Sequence, residues 1–167
     1  LIYKEIFNPL RLLKLFNINF DIFIRTILLT FSFLWVTYQS SKLGENYLAV
    51  NTILIQFIML ASFFLDAYAF STEAVVGYTI GKKSKNSFLL VVSNSFKLSI
   101  FSGLIISGIY LLSFQLIINE LTNIDYLKFL VSNYIFWIII IPPIAAICYQ
   151  FDGIFIGASQ TAEMRNA

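Results

Sequence analysis

The sequence predicts an all-α, polytopic membrane bundle with four transmembrane helices, and three observations carry that prediction. Of 167 residues, 59% are apolar and only 12% are charged, whereas a soluble domain usually carries about 25% charged residues. The apolar residues gather into four stretches long enough to cross a bilayer, which takes about 20 residues in a helix. Short polar connections separate these stretches, so consecutive helices are expected to be antiparallel neighbours.

The elements follow in order. Residues 1–19 form an amphipathic segment: after Pro9, Leu10, Leu12, Leu13, Leu15 and Phe16 alternate with Arg11 and Lys14, a pattern suited to the membrane surface. The first span is 20–39, with its only charges, Asp21 and Arg25, in the first two turns. The second, 47–81, is uncharged through Leu65 and then meets Asp66 and Glu73. The third covers 97–118. The fourth, 127–162, contains Pro142 and Pro143 and then Asp152. The second and fourth exceed a hydrocarbon core of about 30 Å. The proline pair should kink or interrupt the fourth, because Pro143 has no amide for the carbonyl of Ile139. Gly77 with Gly81, and Gly153 with Gly157, are small-xxx-small pairs that permit close helix approach.

Charge placement predicts the orientation. Lys4, Arg11, Lys14, Arg25, Lys82, Lys83, Lys85, Lys97 and Arg165 fall on one side, against Lys42 and Lys128 on the other, nine of the 11 basic residues to two. The positive-inside bias makes residues 1–19, the loop 82–87 and the carboxyl end cytoplasmic. A net charge of +2 does not suggest a nucleic-acid partner. With no histidine and a single cysteine, Cys148, no histidine-ligated metal site, histidine-based triad or intrachain disulfide can be built, and Cys148 reads as a packing residue. The absence of any nucleophile–base constellation also counts against an enzyme. Because the chain opens on Leu1 and stops at Ala167, it reads as a segment of a longer protein.

The candidate site residues are the polar groups inside the spans. On a helical wheel, Asn51, Ser62, Asp66 and Glu73 share about 60° of arc, a stripe that must face protein or water rather than lipid. A carboxylate in mid-membrane costs about 2.5–3.5 kcal/mol. A carboxyl group held away from water can bind and release a proton near neutral pH, and it can equally give oxygens to a sodium ion. Asp152, Asp66, Glu73 and Asn51 are therefore the candidates for ion coupling or for lining a cavity. Static helix–helix hydrogen bonding is the competing reading of Asp66, and an interfacial position that of Glu73. Asp21 and Arg25, spaced i, i+4, are expected to form a structural ion pair on one helix.

Three strings, in order and at these spacings, carry a resemblance: "NINFDIFIRTILL", "LAVNTILIQFIMLASFFLDAYAFSTEAVVGYTIGKK" and "CYQFDGIFIGASQTAEMRNA". The chain resembles the multidrug and toxic compound extrusion (MATE) transporters, most closely their DinF-like branch. The resemblance implies a twelve-helix, two-bundle transporter of the cell inner membrane, of which this chain is the inter-bundle linker and the seventh to tenth helices. It also implies exchange of small amphipathic or cationic organic compounds for protons or sodium ions by alternating access, no other cofactor, and the amino-terminal bundle and the lipid bilayer as partners. By the same resemblance Asp152 matches an acidic coupling position of the tenth helix, while the seventh-helix glutamate of other branches has no counterpart in 20–39. A flippase for lipids or lipid-linked oligosaccharides, from the same wider superfamily, is the alternative.

Overall fold

The computed structural model describes residues 9–166, which fold into six helices. They are α1 (Pro9–Lys42), α2 (Glu45–Gly81), α3 (Lys85–Leu121), α4 (Asp125–Ser132), α5 (Ile135–Gly157) and α6 (Thr161–Asn166). Four of them, α1, α2, α3 and α5, are long and apolar enough to cross a membrane. Residues 1–8 of the amphipathic segment lie outside the described residues.

The helix ends follow local chemistry. The described part of α1 opens on Pro9. No boundary falls at residue 19: α1 is continuous for 34 residues, so the described part of the amphipathic segment and the first span are one helix. Between α1 and α2, Gly44 adopts φ 115, ψ 163, a region open only to glycine. The turn after α2 places Lys83 in the left-handed region at φ 54. Ser84 then caps α3, its Oγ accepting from the amide of Ser87 at 3.4 Å.

The largest departure from expectation concerns the fourth span. It does not run as one helix over 127–162, and the interruption is not at the prolines. α5 passes through Pro142 and Pro143 unbroken. The carbonyl of Ile139, which Pro143 cannot serve, accepts instead from the hydroxyl of Ser107 on α3 at 2.5 Å. A neighbouring helix supplies the missing donor, as membrane-embedded prolines require. The break lies at Asn133–Tyr134, where the amides of both residues bond three residues back, to Leu130 and Val131. A second break follows at Ala158–Gln160, with Ser159 at φ 57.

The core sits where α2, α3 and α5 meet. On α2 the buried residues Val50, Ile53, Phe57, Ala61, Leu65, Ala69, Thr72, Val76 and Thr79 recur every three or four positions and form one seam. Phe57 packs edge-on against Tyr110 at 5.2 Å, and the Tyr110 hydroxyl donates to the Phe57 carbonyl at 2.7 Å. Outside the seam the helices present large apolar side chains, Phe63 at 75% exposure and Leu112 at 86% among them. In water such a surface would aggregate; on a membrane span it suits lipid or a further helix.

At one crossing α2 and α5 come unusually close. A methyl group added at Gly153 would fall on the carbonyl of Ala69, and one at Gly157 would lie 2.5 Å from the carbonyl oxygen of Glu73. The Gly153/Gly157 pair therefore works as a small-residue contact face. Gly81 meets nothing within 4 Å, and Gly77 meets only the Gly157 carbonyl at 3.5 Å.

Candidate functional site

Each member of the α2 polar stripe follows a buried seam residue by one position: Asn51 after Val50, Ser62 after Ala61, Asp66 after Leu65, Glu73 after Thr72. One residue is about 100° of helix rotation, so the stripe flanks the seam, and all four side chains are part-buried. Asn51 donates to the hydroxyl of Ser40 on α1, and Ser62 accepts from the Tyr149 hydroxyl of α5 at 2.7 Å. The stripe thus faces α1 and α5 rather than lipid.

The centre of the site is an ion pair absent from the sequence-based expectation. Arg25 Nη2 of α1 donates to Asp152 Oδ2 of α5 at 2.5 Å, with both side chains part-buried. Asp66, one turn from Ser62, lies within reach of the charge on Asp152. Tyr149, one turn back from Asp152 on α5, is the residue whose hydroxyl bonds Ser62. Three helices therefore contribute two carboxylates, one guanidinium and two hydroxyls to a single cluster. Beside it a cleft of about 430 Å³ is lined by Arg25, Cys148, Phe151, Asp152, Phe155 and Met164. Cys148 is exposed there and is not the packing residue expected.

The expected Asp21–Arg25 pair does not form. Asp21 instead accepts from Arg165 Nη1 of α6 at 2.5 Å and from the Thr161 hydroxyl at 3.0 Å. The physical reason is the choice of partner. An i, i+4 pair on an exposed helix contributes only about 0.3–0.5 kcal/mol, whereas each residue here reaches an opposite charge on a second helix in a part-buried setting. The two pairs bind α1 to α5 and α6 one turn apart.

Of the four coupling candidates, the structure brings Asp66 and Asp152 together and leaves the other two elsewhere. Asn51 is 15 residues before Asp66, about 22 Å along α2. Glu73 is two turns beyond Asp66, and among the described residues it has no ion-pair partner. Local patterns missed Arg25 as the partner of Asp152, 127 positions away, and missed Tyr149, which reads as one of many aromatics. Gln150, fully buried, was also missed; its Oε1 accepts from the Thr72 hydroxyl at 2.8 Å in the same α2–α5 seam. Thr72 and Gln150 are polar residues in apolar runs, the one signal that pointed to them.

Comparison with known proteins places this geometry. The family model described as MatE matches residues 22–164, a range that contains the whole Arg25–Asp66–Asp152 cluster. The chain is also 33% identical over 154 residues to the DNA damage-inducible protein F of Escherichia coli (strain K12), covering 92% of this chain and 34% of that protein. No solved structure matches. The chain belongs to the MatE family and is DinF-like within it. It is a multi-pass membrane protein, and it spans about a third of the length of the relative it matches.

Proposed function

We propose that this chain is part of a secondary active efflux transporter of the cell inner membrane, not an enzyme, which exchanges amphipathic or cationic organic compounds for protons or sodium ions by alternating access. The observation that carries the reading is the Arg25–Asp152 pair joining α1 to α5, with Asp66 within reach of it. Charge in a membrane span is costly, and here Arg25 pairs with Asp152 while Asp66 has no ion-pair partner among the described residues. A proton or sodium ion arriving at Asp66 and Asp152 would take over part of the role of Arg25. A cation that neutralises Asp152 in this way weakens the hold of α5 on α1, which gives ion binding a differential effect on two helix arrangements. The cleft beside the pair, with Phe151, Phe155 and Met164 on its walls, suits an amphipathic cation, its charge toward Asp152 and its apolar part on the aromatic rings.

In this reading the segment is the inter-bundle linker and the seventh to tenth helices of a twelve-helix transporter, with the amino-terminal bundle as its partner and residues 1–19, the turn around Lys83 and the carboxyl end in the cytoplasm. A flippase reading is less well supported, because the guanidinium that would hold a lipid phosphate is engaged by Asp152.

The test is Asp152→Asn in the full-length protein, which keeps shape and hydrogen bonding but removes the charge. Ion-driven efflux of a cationic dye should fall strongly at unchanged membrane abundance, and the dye should protect Cys148 of the otherwise unmodified protein from maleimide. Wild-type export with intact dependence on the ion gradient would sink the coupling role. Movement of lipid-linked precursors with no dye export would favour the flippase.

A further inference from the structure

The turn between α2 and α3 concentrates positive charge in a way the proposed transport cycle does not use. Lys82, Lys83 and Lys85 stand within four residues. All are exposed, and among the described residues none is paired with a carboxylate. Lys82 lies over the ring of Tyr78, 4.6 Å from its centroid. Lys83 and Lys85, with Ser84, line a cleft of about 350 Å³ that Thr79, Ile80, Phe88 and Ala158 complete. The cleft is therefore cationic and hydroxyl-bearing on one side and apolar on the other, the two halves of an amphiphile's complement.

Its surroundings narrow the choice of amphiphile. The apolar surface of α2 and α3 continues almost to the turn: Tyr78, Ile80, Leu89 and Leu90 are all large, apolar and exposed. Acyl chains can follow these helices up to the last turn, so the lysines emerge where lipid headgroups lie, and tilt takes up part of the length of the 37-residue helices. Lys83 also holds a backbone conformation, φ 54, that normally falls to glycine or asparagine after a helix. A lysine there bears local strain that either of those residues would avoid, and it places a charge at the mouth of the cleft.

We propose that Lys83, Ser84 and Lys85 form a binding site for the phosphate headgroup of an anionic phospholipid whose acyl chain lies along Ile80 and Phe88. The site does not depend on the transport reading; under the orientation proposed above it faces the cytoplasmic leaflet, where anionic lipids supply a negative surface potential.

The experiment uses the full-length protein in phosphatidylcholine vesicles containing a minor fraction of spin-labelled phosphatidylglycerol, and reads the preference of the protein for that lipid over labelled phosphatidylcholine. Lys83→Asn suits the left-handed turn while removing the charge, and Lys85→Gln removes the second. Each should lower the preference about fivefold, while Lys83→Arg should keep it and Lys42→Gln, at the opposite end of the bundle, should leave it unchanged. Inorganic phosphate at ten-millimolar concentration should not displace the lipid. Retention of the full preference in the double variant overturns the proposal. An equal loss in Lys42→Gln overturns it in favour of general surface charge, and displacement by inorganic phosphate overturns it in favour of a site for a soluble anion.

Discussion

Alanine at Gly153 or Gly157 should destabilise the fold, whereas alanine at Gly108 should not, although all three glycines lie inside helices. The Cβ of Gly157→Ala would sit 2.5 Å from the Glu73 carbonyl oxygen, against about 3.4 Å for ordinary contact. The obstacle is backbone, so no rotamer change relieves it, and α2 and α5 must part by about 1 Å. That shift would stretch the Thr72–Gln150 bond from 2.8 Å past hydrogen-bonding range and leave a fully buried amide without its partner. Overpacking of this kind costs about 1–3 kcal/mol, and the lost bond adds about 1 kcal/mol. Gly153→Ala meets the carbonyl, carbonyl carbon and Cα of Ala69 together, so its cost should be at least as large. At Gly108 nothing lies within 4 Å, and the gain in helix propensity should stabilise by about 0.5–1 kcal/mol. Denaturant unfolding of the full-length protein in mild detergent, followed by tryptophan fluorescence, separates the signs. If Gly153→Ala and Gly157→Ala unfold with Gly108→Ala, the close α2–α5 crossing is wrong.

Ser107→Ala should cost about 1 kcal/mol, because it strands the Ile139 carbonyl, and the cost should shrink in a Pro143→Ala background, where an amide is restored; a double-mutant cycle in unfolding measures this coupling. Asp21→Asn and Arg165→Gln should each reduce membrane abundance more than transport per molecule, and together they should cost less than the sum of the two, since they break one pair; additive losses would separate the residues. In a Cys148→Ala background, single cysteines at Ser84 and Asn123 should label from opposite sides of the membrane, and labelling of both by an impermeant reagent outside intact cells would overturn the orientation.

What could be read from the chain alone is what depends on local composition. Four apolar runs of spanning length are visible without partners, and so is the oddity of Asp66 and Asp152 inside them. The α2 stripe was also legible, because the 3.6-residue period that sets the buried seam sets its flank. The proline pair does not interrupt the helix, and the reason lies on another helix: Ser107 serves the Ile139 carbonyl, a donor 32 residues from that carbonyl that nothing in the local sequence announces. The break appeared instead at Asn133, an ordinary turn-forming residue. Asp21 and Arg25 misled in the opposite direction. Their spacing fits a local pair so well that the distant partners, Arg165 and Asp152, had no signal to compete with it. Gly77 with Gly81 and Gly153 with Gly157 have the same spacing, which could not say that the second pair alone would meet backbone within 3.0 Å of an added Cβ.

The same contacts imply a division of labour among the helices. α2, α3 and α5 bury a continuous apolar seam and hold one another by packing. α1 buries almost nothing apolar: Phe16, Phe20, Phe23, Phe31, Leu34 and Trp35 are all exposed, and its described attachments are polar. They are Asn51 to Ser40 near one end, Arg25 to Asp152 further along, and Asp21 to Arg165 and Thr161 one turn beyond. In lipid, apolar side chains gain little by exchanging acyl chains for a neighbouring helix, so these polar tethers set the position of α1. In the proposed cycle a change of charge at Asp152 would act on the spanning helix that is least buried among the described residues, through one of its few described attachments, rather than on the α2–α3–α5 seam. Asp21–Arg165 lies one turn from Arg25 and would hold that end of α1 if the Arg25 contact were released, so the proposed cycle would move the stretch of α1 between Arg25 and Ser40.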